Sequence, residues 1–303
     1  MWDGTSNIER SEQGIRYAGR SEPILRLGFR LSGSPWRLGP AWAVLAGALA
    51  SQAPIWGGEN LLRLGGSLLL ADAVWGVFWR RSSLRQGGPS KRERGARLPY
   101  SNAHSPMLEA LSRLGYEAIE DGEKAWQGML AGLVAVAILS ILLGSSAIVL
   151  SLLALIASVG VRLMVRRGKT PALMMAFLCT GLPWTLGAAL GRTGNLLPPS
   201  GFSGVGLALG AAFTFLTWSL YRVDLNGSRG LVWPIWLGEV VVLVTMVALR
   251  EPLGLAIVAA LMVVPCLWIS RRSHPAQEMG ENLRNSDVWW LASMLVAALA
   301  VRF

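Results

Sequence analysis

"LLLADAVWGVFWRRSS", residues 68 to 83, is the stretch on which the reading of the chain turns. It closes a long apolar run with Arg80 and Arg81, and inside the run it holds one carboxyl group, Asp72. Trp75 and Trp79 follow three and seven residues later, on the same face of a helix. An acid in hydrocarbon costs free energy and needs a reason to be there. Asp72 is a working part of a metal site, the remnant of one, or a helix end at the water line.

The surroundings show that hydrocarbon is the right frame. Of 303 residues, 52% are hydrophobic and only 15% charged, with a mean hydropathy of +0.45. A soluble chain of this length would need a more charged surface. A bilayer crossing takes about 20 apolar residues at 1.5 Å rise each. Runs of roughly that length fall at 39–57, 61–79, 125–143, 145–165, 171–190, 203–221, 232–249, 253–270 and 287–302, with only "GSS" between the third and fourth. The expected fold is therefore all-α, a polytopic membrane protein of nine transmembrane helices.

The cationic residues test that count. With the N-terminus placed in the cytoplasm, the N-terminal arm carries six Lys or Arg, the second connection nine, the fourth four, the sixth two and the eighth three. That puts 24 of the 28 on one side and leaves Arg63, Arg192, Arg250 and Arg302 on the other. Cytoplasmic loops attract Lys and Arg, and a miscounted helix would scramble the alternation. The net charge of +10 is thus topological first. Anionic headgroups or diphosphates are secondary partners, and nucleic acid is not indicated.

Residues 1–37 read as a polar cytoplasmic arm with no early apolar core, so no cleavable signal is expected. Residues 38–303 form the membrane domain, interrupted by a long cytoplasmic loop at 80–124. That loop opens with the basic "RRSSLRQGGPSKRERGARLPYSN", an irregular stretch. "SPMLEALSRLGYEAIEDG" then shows a helical stripe, with Ser105 as N-cap and Pro106 at the first helical position. Such a helix lies at the membrane interface or closes over a cavity mouth as a lid. Small residues such as Gly206 and Gly210 permit close helix approach. Trp56, Trp79, Trp126, Trp233, Trp236, Trp289 and Trp290 lie near run ends, as interfacial belts require. Cys179 and Cys266 sit inside runs and suggest no disulfide, while His104 and His274 stand alone in loops.

Acids within or beside the runs carry the chemistry. Asp72 and Glu239 each lie about two turns inside a cytoplasmic end. Asp224 sits just past the sixth run, with Tyr221, Arg222 and Arg229 around it. The fourth connection adds Arg162, Arg166, Arg167 and Lys169. A mouth with two or three carboxylates and many cations suits a diphosphate, metal-bound or gripped directly. Glu239 is either a cavity-facing polar group or a bonded structural partner within the bundle.

On these residues the chain resembles the UbiA superfamily of intramembrane prenyltransferases. "SPWRLGPAWAVLAGALAS" looks like that family's first helix, and "LLLADAVWGVFW" falls where it has N-D-x-x-D-x-x-x-D. "RLPYSNAHSP" is similar to the segment that follows, and "VRLMVRRGKTPAL" to the basic connection before the fifth helix. "YRVDLNGSRGLVWPIWLG" looks like the second Asp-rich motif. The resemblance implies a UbiA-like bundle with a cytoplasm-facing site, in which a prenyl diphosphate donor meets a lipophilic acceptor. It implies Mg²⁺ held by Asp72 and Asp224 as the catalytic acids. Arg80, Arg81, Arg166, Arg167, Lys169, Arg222, Arg229, Tyr221, Trp75, Trp79 and Glu239 would line the substrate. The implied location is the inner, cytoplasmic membrane of a bacterium.

The departures from the family pattern weigh as much. Ala71 stands for Asn, Trp75 and Trp79 stand for two acids, and Tyr221 and Ser228 stand where acids are expected. Of the six acid positions in the two motifs, two acids remain, Asp72 and Asp224. One ion can be held by one or two carboxylates plus phosphate oxygens. Yet each lost electrostatic contact to a leaving group costs about 10²–10³ in rate. Trp75 and Trp79 either steady a developing carbocation, on the order of 2 kcal/mol when desolvated, or pack the helix end. Two functions follow: a transferase with a reduced, Mg²⁺-dependent site, or a non-catalytic subunit of a larger membrane complex that binds an isoprenoid, quinone, pigment or lipid. A transporter is the weaker third, because the acids gather at one face instead of the midplane.

Overall fold

Every apolar run marked out above overlaps a helix in the computed structural model, the first only over Pro40–Ala50. The structure describes residues 37–51, 57–80, 105–108, 125–190, 204–226, 233–271 and 276–302. In chain order, α1 is Pro40–Ala50, and α2 runs through Gly58–Leu68, a π-helical stretch Leu69–Val74, and Trp75–Arg80. α3 is Ala125–Leu143 and α4 Ser145–Arg166. α5 spans Ala172–Ala189 with a second π-helical stretch at Phe177–Gly181. α6 is Gly204–Asn226, α7 Trp233–Ala248, α8 Pro252–Arg271 and α9 Ala276–Arg302. Among the described residues there is no strand.

Three helices, Ser145–Arg166, Ala172–Ala189 and Gly204–Leu225, are long and apolar enough to cross a membrane by length and composition. Outward faces are apolar on several others too: Ile141 and Leu142 on α3 are 70% and 71% exposed, and Val244 on α7 is 61% exposed. Polar side chains such as Ser67, Asp72, Thr180, Thr217 and Glu239 are instead buried. A water-soluble bundle has the opposite arrangement, so this surface is compatible with lipid.

Two helices depart from the lengths that hydropathy suggests. α6 continues five residues past its apolar run to Asn226, which carries Arg222 and Asp224 on helix instead of loop. α9 begins at Ala276, so the polar "AQEMGENLRNSD" is also helical. Apolar runs mark only the part of a helix that sits in hydrocarbon. Ala, Gln, Glu, Met and Leu extend the rod beyond it by intrinsic propensity.

α1 packs on the end of α5 at very short range. A Cβ on Gly47 would land on the Trp184 carbonyl, and one on Gly187 on the Val44 carbonyl. Only a missing side chain lets two backbones come this close. α1 also meets α2 and α9, α6 packs on α5, α7 and α9, and α3 and α4 pack against α2. Gly210 serves the packing role expected of it, since a Cβ there would overlap the Trp184 ring, while a Cβ on Gly206 would make only ordinary contact with Ala50. The π-helical stretch of α5 precedes Pro183, whose missing N–H and ring disturb the ladder behind it. All the described residues belong to one compact unit, Leu31–Phe303.

Candidate functional site

Asp72 lies in the π-helical stretch of α2 and is fully buried. Its Oδ2 accepts a hydrogen bond from the Ser105 hydroxyl at 2.6 Å and another from the Met107 backbone N–H at 3.1 Å. Ser105 Oγ in turn accepts from the Leu108 N–H at 3.2 Å. The Ser105–Pro106 start therefore forms the N-cap legible in the sequence, and Asp72 reaches across from another helix as a second cap. Met107 and Leu108 pack on the hydrophobic core, so this first turn is seated in the bundle instead of lying on it. The rest of the amphipathic segment, 109–124, lies outside the described residues.

A magnesium ion needs oxygen lone pairs turned toward it. Asp72 Oδ2 is taken up by an O–H and an N–H donor. Among the described residues no group of three or more His, Cys, Asp or Glu stands close enough to hold a metal.

Asp224 has different company. It is half-buried on the last turns of α6. Just before α1, Arg37 donates through Nε to Asp287 Oδ2 at 2.8 Å, an ion pair with side chains 9% and 14% exposed. Burial alone pushes the Arg37 pKa down. The Asp287 carboxylate, by charge and hydrogen bond, more than reverses this with a contribution from Asp224, and the net shift is upward. Tyr221 is buried, and its hydroxyl donates to the Leu38 carbonyl at 3.4 Å. The Arg222 guanidinium stacks over Trp218, 5.4 Å from the ring centroid. The end of α6 thus gathers Arg37, Tyr221, Asp224 and Asp287 in one polar knot.

The remaining expected residues divide as follows. Arg166, Arg167 and Lys169 are exposed at the C-terminal end of α4, where cations complement the helix dipole. Gly168, at φ +65°, makes the turn there, and the Lys169 N–H closes onto the Met164 carbonyl at 2.9 Å. Trp79 and Arg80 end α2, with side chains outside the described set. Arg81, Arg229, His104, His274 and Trp56 lie outside the described residues, as does the Trp126 side chain. Trp75 is buried, and its indole N–H donates to Ser151 Oγ at 3.1 Å, which shares a 2.7 Å bond with Ser140. Of its two readings, helix packing is the one this environment matches.

Glu239 resolves toward the bonded structural partner. It is 6% exposed, its Oε1 accepts from Trp290 Nε1 at 2.9 Å, and its Oε2 accepts from Cys266 Sγ at 2.6 Å. One carboxyl group thereby ties α7 to α8 and α9. Trp290 is not an interfacial belt residue: it is fully buried, while its neighbour Trp289 faces outward. Cys179 and Cys266 are both free and buried.

Sequence reasoning did not pair Asp72 with Ser105 or Arg37 with Asp287. These partners lie 33 and 250 residues apart, and no local spacing signals them. No family model matches the chain, and neither does a curated protein or a solved structure.

Proposed function

We propose that the chain is an integral membrane protein on a UbiA-like scaffold, its N-terminus cytoplasmic, that binds an isoprenoid or other lipid without transferring it. The scaffold rests on the motif resemblance together with nine helices, among the described residues, at the nine apolar runs. The single observation that carries the non-catalytic reading is the engagement of Asp72. In support of it, the acid aligned with the first Asp-rich motif accepts two hydrogen bonds from residues 105–108 through Oδ2. With one oxygen of that acid occupied and four other acids replaced, the chain keeps little negative charge to hold Mg²⁺ against a diphosphate. The protein then serves as a subunit or carrier in a larger membrane complex.

The test is direct. Purified in detergent, the protein is given Mg²⁺ with geranyl, farnesyl or geranylgeranyl diphosphate, and diphosphate release is followed. The expected result is no release, with an isoprenoid or related lipid recovered in organic extracts of the purified protein. Mg²⁺-dependent release from any of the three donors refutes the reading.

One observation favours the transferase alternative. Asp224, half-buried on α6 with Arg222 two residues before it, remains accessible at the end of the bundle. If that reading holds, release requires Mg²⁺ and Asp224→Asn abolishes it.

A further inference from the structure

One buried hydroxyl in this protein stands apart. Helical Ser and Thr side chains here regularly turn back onto the carbonyl four residues earlier: Ser158 onto Ala154, Thr185 onto Gly181, Thr214 onto Gly210, Thr245 onto Val241. Ser67, fully buried on α2, does not, and its Oγ has no hydrogen-bond partner. A buried hydroxyl left unpaired costs roughly what the lost bond would have contributed, so what it faces matters.

Ser67 lines a cavity of about 10 Å³, partly open to the outside. Arg63, one turn earlier on α2, lines the same cavity, as do Leu143 at the end of α3 and Leu190 just past α5. Ser146 and Ala147 complete it from the first turn of α4. That 22-residue helix starts at Gly144 with no side-chain cap. The space therefore brings together an arginine, a hydroxyl with no acceptor, and the positive end of a long helix. All three are suited to negative charge. The volume admits about one water-sized group, so an oxyanion would place one oxygen inside and keep the rest at the mouth. Arg63, whose side chain is 30% exposed, spans that boundary.

We infer that this pocket is an oxyanion site of the phosphate class, in which Ser67 Oγ and the start of α4 donate to one phosphate oxygen and Arg63 to another. Arg63 Nη2 is held at 2.7 Å by Glu59, an exposed carboxylate on the same helix that competes for the same charge. The phosphate has two possible sources, a phospholipid headgroup or a soluble ion. The lipid source rests on the membrane reading proposed above, and the oxyanion site does not. In its favour, Ile141 and Leu142 of α3 and Ile148 and Leu152 of α4, close in sequence to the lining residues Leu143 and Ala147, are exposed apolar side chains that an acyl chain could cover.

The experiment uses the whole chain, stripped of lipid in dodecyl maltoside. Thermal unfolding and native mass spectrometry follow additions of sodium phosphate, phosphatidylglycerol or phosphatidylcholine. At about a hundredfold excess over Kd, a true ligand raises the unfolding midpoint by roughly 5 °C. Arg63→Gln weakens its apparent affinity about tenfold or more, and Ser67→Ala weakens it several-fold. Ser67→Ala leaves the ligand-free midpoint unchanged or higher, because it deletes an unpaired hydroxyl. Glu59→Gln tightens binding by freeing Arg63, which a purely structural role for these residues would not produce. A response to phosphatidylglycerol alone assigns the headgroup, and a response to sodium phosphate assigns the soluble ion. Equal affinities in wild type and all three variants, or no response to any addition, would mean that the pocket holds water only, and would overturn the assignment.

Discussion

Removing the Asp72 carboxyl group should unseat residues 105–108 from the bundle, at a magnitude that the two bonds set. A hydrogen bond contributes about 1 kcal/mol between neutral groups and about 1.5–3 kcal/mol with a charged acceptor, and a buried donor left unpaired adds its own desolvation cost. Asp72→Ala strands the buried Ser105 hydroxyl and the part-buried Met107 N–H. The expected loss is therefore about 3–5 kcal/mol, a large part of the total stability of an ordinary domain. Asp72→Asn keeps a carbonyl oxygen in place and should cost only about 1 kcal/mol. Ser105→Ala removes one donor and one cap, for about 1–2 kcal/mol. Because Asp72 and Ser105 share a bond, the Asp72→Ala and Ser105→Ala effects should fail to add by about 1–2 kcal/mol. Unfolding in detergent measures the cycle, and amide exchange at Met107 reports the same contact locally. Protection there should vanish in Asp72→Ala and persist in Asp72→Asn. A metal ligand behaves differently, since an amide is a poor substitute for a carboxylate on Mg²⁺ and Asn would be nearly as damaging as Ala to any Mg²⁺-dependent activity. Strict additivity, within about 0.3 kcal/mol, together with unchanged exchange at Met107 would refute the capping role.

Arg37→Met should cost about 3–5 kcal/mol, because the part-buried Asp287 then loses its arginine. The double variant Arg37→Met/Asp287→Leu should recover most of it, as read by thermal unfolding in detergent. Since the Arg37 pKa is raised, its contribution is fully present below the ordinary arginine range and fades only as pH rises beyond it. Stability between pH 7 and 9 should therefore be flat as far as this residue is concerned. Glu239→Ala should cost about 2–4 kcal/mol by stranding the Trp290 indole and the Cys266 thiol, and Glu239→Gln about half as much, on the same assay. Gly187→Ala should prevent folding, seen as loss of the monodisperse peak in size-exclusion chromatography. Gly204→Ala, whose Cβ would meet nothing within 4 Å, should be neutral or stabilising by about 0.5–1 kcal/mol.

Helix positions were legible in the sequence because a hydrocarbon-length apolar run is a strong signal that needs no partner. The Ser105–Pro106 cap was legible for a similar reason, since capping is local chemistry within four residues. Facing was not. In a bundle whose outer surface is also apolar, hydropathy does not separate a core residue from an outward one. Trp289 and Trp290, adjacent and identical in type, have opposite environments, 37% exposed and fully buried. Reading both as belt aromatics was natural and wrong for one. The partners of the candidate acids were illegible at the same step. Asp72, Glu239 and Asp224 all stood out as costly acids, but cost alone does not say what offsets it. For Glu239 the answer lay on two later helices, and for Asp72 across a connection of more than twenty residues.

These buried polar contacts have a common consequence for how the bundle is specified. If the helices lie in lipid, apolar packing gives weak discrimination between one helix register and the next, because lipid tails are as apolar as leucine. Polar bonds then fix the register, and they recur along the helix contacts. Arg37–Asp287 fixes the start of α1 to α9, and Trp75–Ser151–Ser140 ties α2 to α4 and α3. Thr180–Thr217 and Trp184–Gly206 join α5 to α6 at two levels, and Glu239 joins α7 to α8 and α9. Each such bond is worth about 1 kcal/mol in a membrane, too little to hold a bundle together singly but enough to penalise a one-residue slip at several joints at once. Asp72–Ser105 belongs to this set, because it fixes residues 105–108 as the bonds above fix helices. Asp72 and Glu239 are alike in that each is buried and accepts two hydrogen bonds from chain distant in sequence, so both carboxyl groups fasten separate elements to one another.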